Sequence, residues 1–116
     1  VVVRKFFLNV SKEEQRQRFL ARLTEPEKHW KFEAGDVRER RHWDDYMAAY
    51  EDAIRHTATK EAPWYVVPAD HKWFARLVVS AAVVDTLKSL GLHYPRVDAA
   101  KRRELAAARK ELVKGK

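Results

Sequence analysis

The feature that most constrains this chain is a helix with a readable start and stop, set directly behind an apolar stretch. Ser11 can cap that helix, and Glu14, three residues on, can reach back to the Ser11 amide to complete a capping box. Phe19 and Leu23 lie four residues apart and share a face, with Leu20 beside them. Arg18 and Arg22 form a stripe next to that face. Pro26 disfavours helical backbone in the residue before it, so the helix is expected to end near Leu23. The stretch in front, Val1 to Val10, is rich in β-branched and aromatic residues and predicts a strand. Its run Phe6-Phe7-Leu8 does not alternate with polar residues, which predicts burial on both faces of a parallel sheet. A strand feeding a capped helix is half of a βαβ unit.

The remainder extends this pattern. Glu27 to Phe32 is a compact stretch with Lys28 and Lys31 around Trp30. Asp36 can cap a second helix with Glu39 in the capping-box position, and this helix is expected to run to about His56. Trp43, Tyr46, Met47, Tyr50 and Ile54 fall on one stripe of it and predict core packing. Arg38, Arg41, Asp45 and Asp52 take the other side, and Arg40 and Arg41 sit against the helix dipole near its start. Thr57 to Ala62 is a polar link. Pro63 to Pro68 is a short strand framed by prolines. Asp70 can cap a third helix whose apolar face carries Trp73, Phe74, Leu77, Val78, Ala81, Val84 and Leu87 and which ends near Gly91. Asp98 to Val113 should be helical, with a thin apolar stripe at Leu105, Ala108 and Leu112. The order strand, helix, helix, strand, helix predicts an α/β fold with parallel, right-handed crossovers.

Charge is unevenly spread. Residues 96–116 hold eight Lys/Arg and three Asp/Glu, whereas the preceding 95 hold sixteen and fourteen. The body is almost balanced and the basic excess lies in the tail, which argues against a nucleic-acid-binding domain. With no cysteine there is neither a disulfide framework nor a thiolate metal site. The first ten residues are too short and too charged for a membrane span or a signal peptide, so a soluble cytoplasmic protein is expected.

Catalytic signatures are sparse. The chain contains no G-x-x-x-x-G-K-[ST], G-x-G-x-x-G, G-x-S-x-G or H-E-x-x-H, and its glycines, Gly35, Gly91 and Gly115, stand alone. The histidines (His29, His42, His56, His71, His93) lack metal-ligand spacing, and no metal ligand is assigned. Asp44 and Asp45 point about 100° apart on a helix, so joint acid–base work is not expected; solvation or a salt bridge to Arg41 is. Asp70 lies at the carboxyl end of a strand, where open α/β sheets place ligands. The arginine stripe admits two readings: a solvated basic face, or a movable arm closing over a phosphate-rich ligand.

Three blocks narrow the choice. They are S-K-E-E-Q-R-Q-R-F-L-A-R-L-T-E-P-E-K-H-W-K-F, D-V-R-E-R-R-H-W-D-D-Y-M-A-A-Y and A-P-W-Y-V-V-P-A-D-H-K-W-F-A-R-L. In order and spacing they closely resemble polyphosphate kinase family 2, over about Phe6 to Pro95. The resemblance implies part of a three-layer phosphate-loop-kinase fold like that of thymidylate kinase, predominantly helical, with two strands and three to four helices. It implies transfer of a phosphoryl group between inorganic polyphosphate and a nucleoside mono- or diphosphate, with magnesium. Two strands without further neighbours, and apolar faces left uncovered, predict a homo-oligomer. Residues 1–95 would be the carboxyl-terminal part of that domain, about its last two-fifths, with a lid over about 18–41. Residues 96–116 would be a basic helical tail. Arg18 and Arg22 match the arginines of the family's R-F-x-x-R segment, with Arg22 the catalytic one. Lys28 and Lys31 match the basic positions around the lid tryptophan. The family's phosphate loop and its magnesium-holding segment have no counterpart in these residues, so the 116-residue chain alone is expected to be inactive. The rival readings are a helical self-association module and a nucleic-acid binder acting through the tail.

Overall fold

The structure is a computed structural model and describes residues 1–115. Its elements are β1 (Lys5–Asn9), α1 (Lys12–Thr24), a 3-10 turn (Pro26–Lys31), α2 (Ala34–Glu39), a second 3-10 turn (Arg40–His42), α3 (Trp43–Thr57), β2 (Trp64–Pro68), α4 (Lys72–Ser89) and α5 (Ala99–Lys114). The backbone forms two compact units, Val1–Val84 and the residues from Asp85 onward, with the division falling inside α4.

In the first unit β1 and β2 pair in parallel, Lys5 beside Trp64 through to Asn9 beside Pro68. The ladder runs on at both ends: Lys5 N–H donates to the Pro63 carbonyl at 3.0 Å and Ala69 N–H to the Asn9 carbonyl at 2.9 Å. Side-chain alternation sends Phe6 and Phe7 to opposite faces. Phe6 stacks on Tyr65 with ring centres 5.2 Å apart and packs against the core of Val67, Ala69 and Ala75. Phe7 meets Tyr50 of α3 at 4.8 Å. The sheet thus has α4 on one face and α3 on the other, the predicted three-layer arrangement.

The coverage is thinner than the unbroken apolar run predicts. Lys5, Phe6 and Phe7 are half-buried, Leu8 is exposed, and Val67 is the one fully buried side chain among the described residues. A two-stranded sheet leaves an open edge on each strand, so β1 is not enclosed.

Two further expectations are corrected. The helix expected from Asp36 to about His56 is three pieces. Asp36 lies inside the first turn of α2, donating its N–H to the Glu33 carbonyl at 3.1 Å, and Arg40–His42 tightens into the 3-10 turn. That turn lets Arg40 fold back on α1, where it donates to Gln15 Oε1 at 3.1 Å and the Lys12 carbonyl at 2.9 Å. The face of α4 that packs inward runs through Ala75, Val78 and Val79, whereas Trp73, Leu77, Val84 and Leu87 are exposed. With apolar residues around most of its circumference, α4 carries several candidate stripes, and small Ala75 allows the closest approach to the strands.

In the second unit Gly91, at φ +60°, closes α4 by donating its N–H to the Lys88 carbonyl, a left-handed cap suited to glycine. Asp98 caps α5 by accepting the Lys101 N–H at 2.7 Å, while Leu105 and Leu112 are exposed. Among the described residues no helix is long and apolar enough to cross a membrane.

Candidate functional site

The carboxyl ends of both strands and the base of α1 meet in one network. Ser11 Oγ accepts the Glu14 N–H at 3.1 Å, as a capping residue does. The return half of the box is replaced. Ser11 N–H donates at 2.6 Å to Asp70 Oδ1, and Glu14 Oε1 instead accepts from Arg18 Nε at 3.1 Å. Arg18 Nη2 closes the ring by donating to the carbonyls of Ala69 and Asp70 at 3.0 and 3.1 Å. Asp70 therefore binds α1 rather than capping α4, whose first turn hydrogen-bonds to the His71 carbonyl. The Ser11 N–H, with smaller help from the charges of His71 and Arg18, holds the Asp70 carboxyl below the usual carboxylate range.

The register explains the meeting. Asn9 pairs with Pro68, so continuing the ladder two residues brings Ser11 opposite Asp70. Aligning the two strands by their carboxyl ends would have exposed this partnership in the sequence. A hollow of about 360 Å³ lies here, lined by Asn9, Ser11, Pro68, Asp70, His71 and Phe74. It occupies the position where open α/β sheets receive ligands.

One turn beyond Arg18, Arg22 lies over the Phe19 ring, its guanidinium carbon 5.4 Å from the ring centre. Among the described residues it has no hydrogen bond or ion pair, so its N–H edges remain available to a ligand. The chain then turns at Pro26. His29 Nε2 lies 2.8 Å from the Leu23 carbonyl and ties the 3-10 turn to the end of α1. Lys28 pairs with Glu25 at 2.5 Å, and Lys31 lies 5.2 Å above the ring of Trp30, itself 77% exposed. The four predicted residues are thus divided. Arg18 is anchored to the body, while Arg22, Lys28 and Lys31 are on the arm beyond it, and no hydrogen bond or ion pair links the four. Arg40, which ties the far end of the arm to α1, was not singled out in the sequence as a tether. Asp45 faces His42 at 3.7 Å rather than Arg41.

A second cleft, of about 370 Å³, opens beside β1. Phe7, Phe19, Trp43, Tyr46 and Tyr50 line it, with Glu39 at its polar side. The α3 aromatics predicted as core line this cleft instead, and Tyr46 and Tyr50 are exposed. The Tyr46 hydroxyl donates to Glu39 at 2.7 Å, and this bond to a carboxylate raises the phenol pKa. Among the described residues no group of three or more His, Asp or Glu side chains converges to hold a metal ion.

Helices on both faces of a parallel sheet, with a cationic arm rising from the strands' carboxyl ends, define part of a P-loop-kinase-type fold. The chain belongs to the polyphosphate kinase 2 family, whose profile, "Polyphosphate kinase 2", matches residues 1–93. A Leptolyngbya boryana protein, described only as uncharacterised and encoded 3′ of chlN, is 61% identical over 112 residues, covering 97% of this chain and 82% of its own length. The ADP-polyphosphate phosphotransferase of Rhodopseudomonas palustris is 54% identical over 110 residues, 95% of this chain but 38% of that protein. The crystal structure of polyphosphate kinase 2 from Arthrobacter aurescens superposes with a TM-score of 0.78 at 47% identity, covering 92% of this chain and 39% of that one. The chain thus spans less than two-fifths of these last two proteins.

Proposed function

We propose that this chain is the part of a polyphosphate-dependent nucleotide phosphotransferase that supplies the basic lid over polyphosphate, with AMP or ADP as acceptor. Residues 18–41 are the lid, residues 1–95 belong to the kinase domain and residues 96–116 are a basic helical tail. Arg22 is the catalytic residue, and it binds polyphosphate together with Lys28, Lys31 and the one nitrogen of Arg18, Nη1, without a protein partner. The observation that carries this reading is the unpaired guanidinium of Arg22 on an arm that begins at the carboxyl ends of the strands. Phosphoryl transfer asks little covalent chemistry of a protein and much positioning and charge neutralisation. Arginine suits that demand, because one guanidinium can grip two oxygens of a phosphate.

Magnesium belongs to the proposal for the complete enzyme only. Among the described residues no three His, Asp or Glu side chains converge to hold it. A cytoplasmic homo-oligomer completes the proposal, supported by the exposed apolar residues Trp73, Leu77, Val84 and Leu87.

Binding tests the reading. The chain is expected to bind fluorescently labelled polyphosphate, more weakly as salt rises. Removing residues 96–116 should leave that binding in place, and Arg22→Ala should weaken it by about tenfold or more. Affinity that vanishes with the tail, for duplex DNA and polyphosphate alike, would instead make the tail a non-specific polyanion binder.

A further inference from the structure

The ring of bonds at the base of α1 does more than cap a helix. It joins two segments distant in sequence: the start of α1, at Ser11, Glu14 and Arg18, and the turn after β2, at Ala69 and Asp70. Three of its bonds join the start of α1 to the β2–α4 turn, and each has one charged partner, the stronger kind of hydrogen bond. Past the ring, the arm is held by Arg40 on α1, and its own turn by His29 and the Lys28–Glu25 pair. These ties run to α1 or within the arm, and a further one, from the Tyr46 hydroxyl to Glu39 at 2.7 Å, joins the far end of the arm to α3. At its near end the arm is fixed to the sheet by the ring.

We propose that Asp70 is a positioning residue. With Arg18 it locks the base of α1 to the carboxyl ends of both strands, and so aims Arg22, Lys28 and Lys31 at the phosphates of the ligand. The role rests on the lid reading for its ligand, but the lock itself does not. The Asp70 carboxylate is engaged by the chain itself. It accepts the Ser11 N–H on one side, and the Asp70 backbone carbonyl receives Arg18 on the other. Without the carboxylate the Ser11 N–H loses its acceptor, α1 gains freedom to swing, and each binding event must order the arm again. That ordering cost appears as lost affinity.

Two measurements decide this. The chain has no cysteine, so single cysteines placed at the exposed positions Glu27 and Ser80 give a unique pair for spin labels. Dipolar distance measurement on the otherwise unaltered chain should give one narrow distribution between arm and α4. Asp70→Ala should broaden it, and Asp70→Asn, which keeps an acceptor oxygen but not the charge, should fall between. An unchanged narrow distribution in folded Asp70→Ala overturns the lock. The second measurement is affinity for labelled polyphosphate, with melting checked for every variant. Asp70→Ala should weaken binding by about tenfold, and by much less when Arg22→Ala is already present, because coupled residues are non-additive. Independent, multiplying effects of the two variants overturn the positioning role. If the unaltered chain binds no polyphosphate, the lid reading falls, and the distance measurement still decides the lock.

Discussion

Replacing Arg22 by alanine is expected to lower kcat and kcat/KM together, by about a thousandfold, because a mobile arginine supplied to a transferring phosphoryl group is worth this much. The setting is a hybrid enzyme in which this chain replaces the matching 110-residue segment of the Rhodopseudomonas palustris relative. The size of the effect follows from geometry. Arg22 lies over the Phe19 ring, and among the described residues no carboxylate pairs with its charge. In the proposed lid role the guanidinium would stabilise charge that develops as the phosphoryl group moves, a contribution made in the transition state. Arg22→Lys should recover only part of the loss, since an ammonium cannot hold two oxygens in a fixed plane. Lys28→Ala and Lys31→Ala should chiefly raise KM for polyphosphate, because they grip the chain in ground state and transition state alike. Steady-state kinetics of the four variants, after their melts are shown to match, checks the forecast. An unchanged kcat for Arg22→Ala would reduce Arg22 to a solvated helix end.

Val67→Asp is expected to abolish cooperative folding. Val67 is fully buried between Ala69, Ala75 and the half-buried rings of Phe6 and Tyr65, and no cation faces it in that cluster. An unpaired carboxylate there costs several kcal/mol, against a total stability of about 5–15 kcal/mol for an ordinary domain. The core of this chain is small, so the lower end of that range is the relevant one. Val66→Asp is the control: its side chain is 54% exposed on the opposite face of the same strand. Thermal melts followed by circular dichroism should show a sharp transition for Val66→Asp and none for Val67→Asp. A transition within a few degrees of the unaltered chain for Val67→Asp would contradict the packing described.

What the sequence made legible was mostly local. The strand before Ser11, the stop at Pro26, the proline-framed strand and the Asp98 cap each depend on residues within a few positions of one another, and each appears. The family blocks added the three-layer arrangement. The misses share a different cause. Asp70 looked like a cap because it precedes a helix, but its partner lies 59 residues away across a parallel register. The helix from Asp36 looked continuous because acidic residues are equally welcome at a cap and in a first turn, while Arg40 is drawn to α1 by a tertiary bond. The α4 face was misjudged because an almost wholly apolar helix carries no single stripe to select. For the site, residue types marked the cationic arm, whereas its division into an anchored Arg18 and a free Arg22 became visible only in three dimensions.

The most direct test of the account is polyphosphate-dependent phosphorylation of ADP by that hybrid, measured beside the 116-residue chain alone. With magnesium present, the hybrid is expected to form ATP at a rate within about tenfold of the unaltered relative, and the chain alone to form none above a no-enzyme control. A folded hybrid without activity, or phosphotransfer by the chain alone, would contradict the assignment of this segment as the lid-bearing part of a polyphosphate kinase.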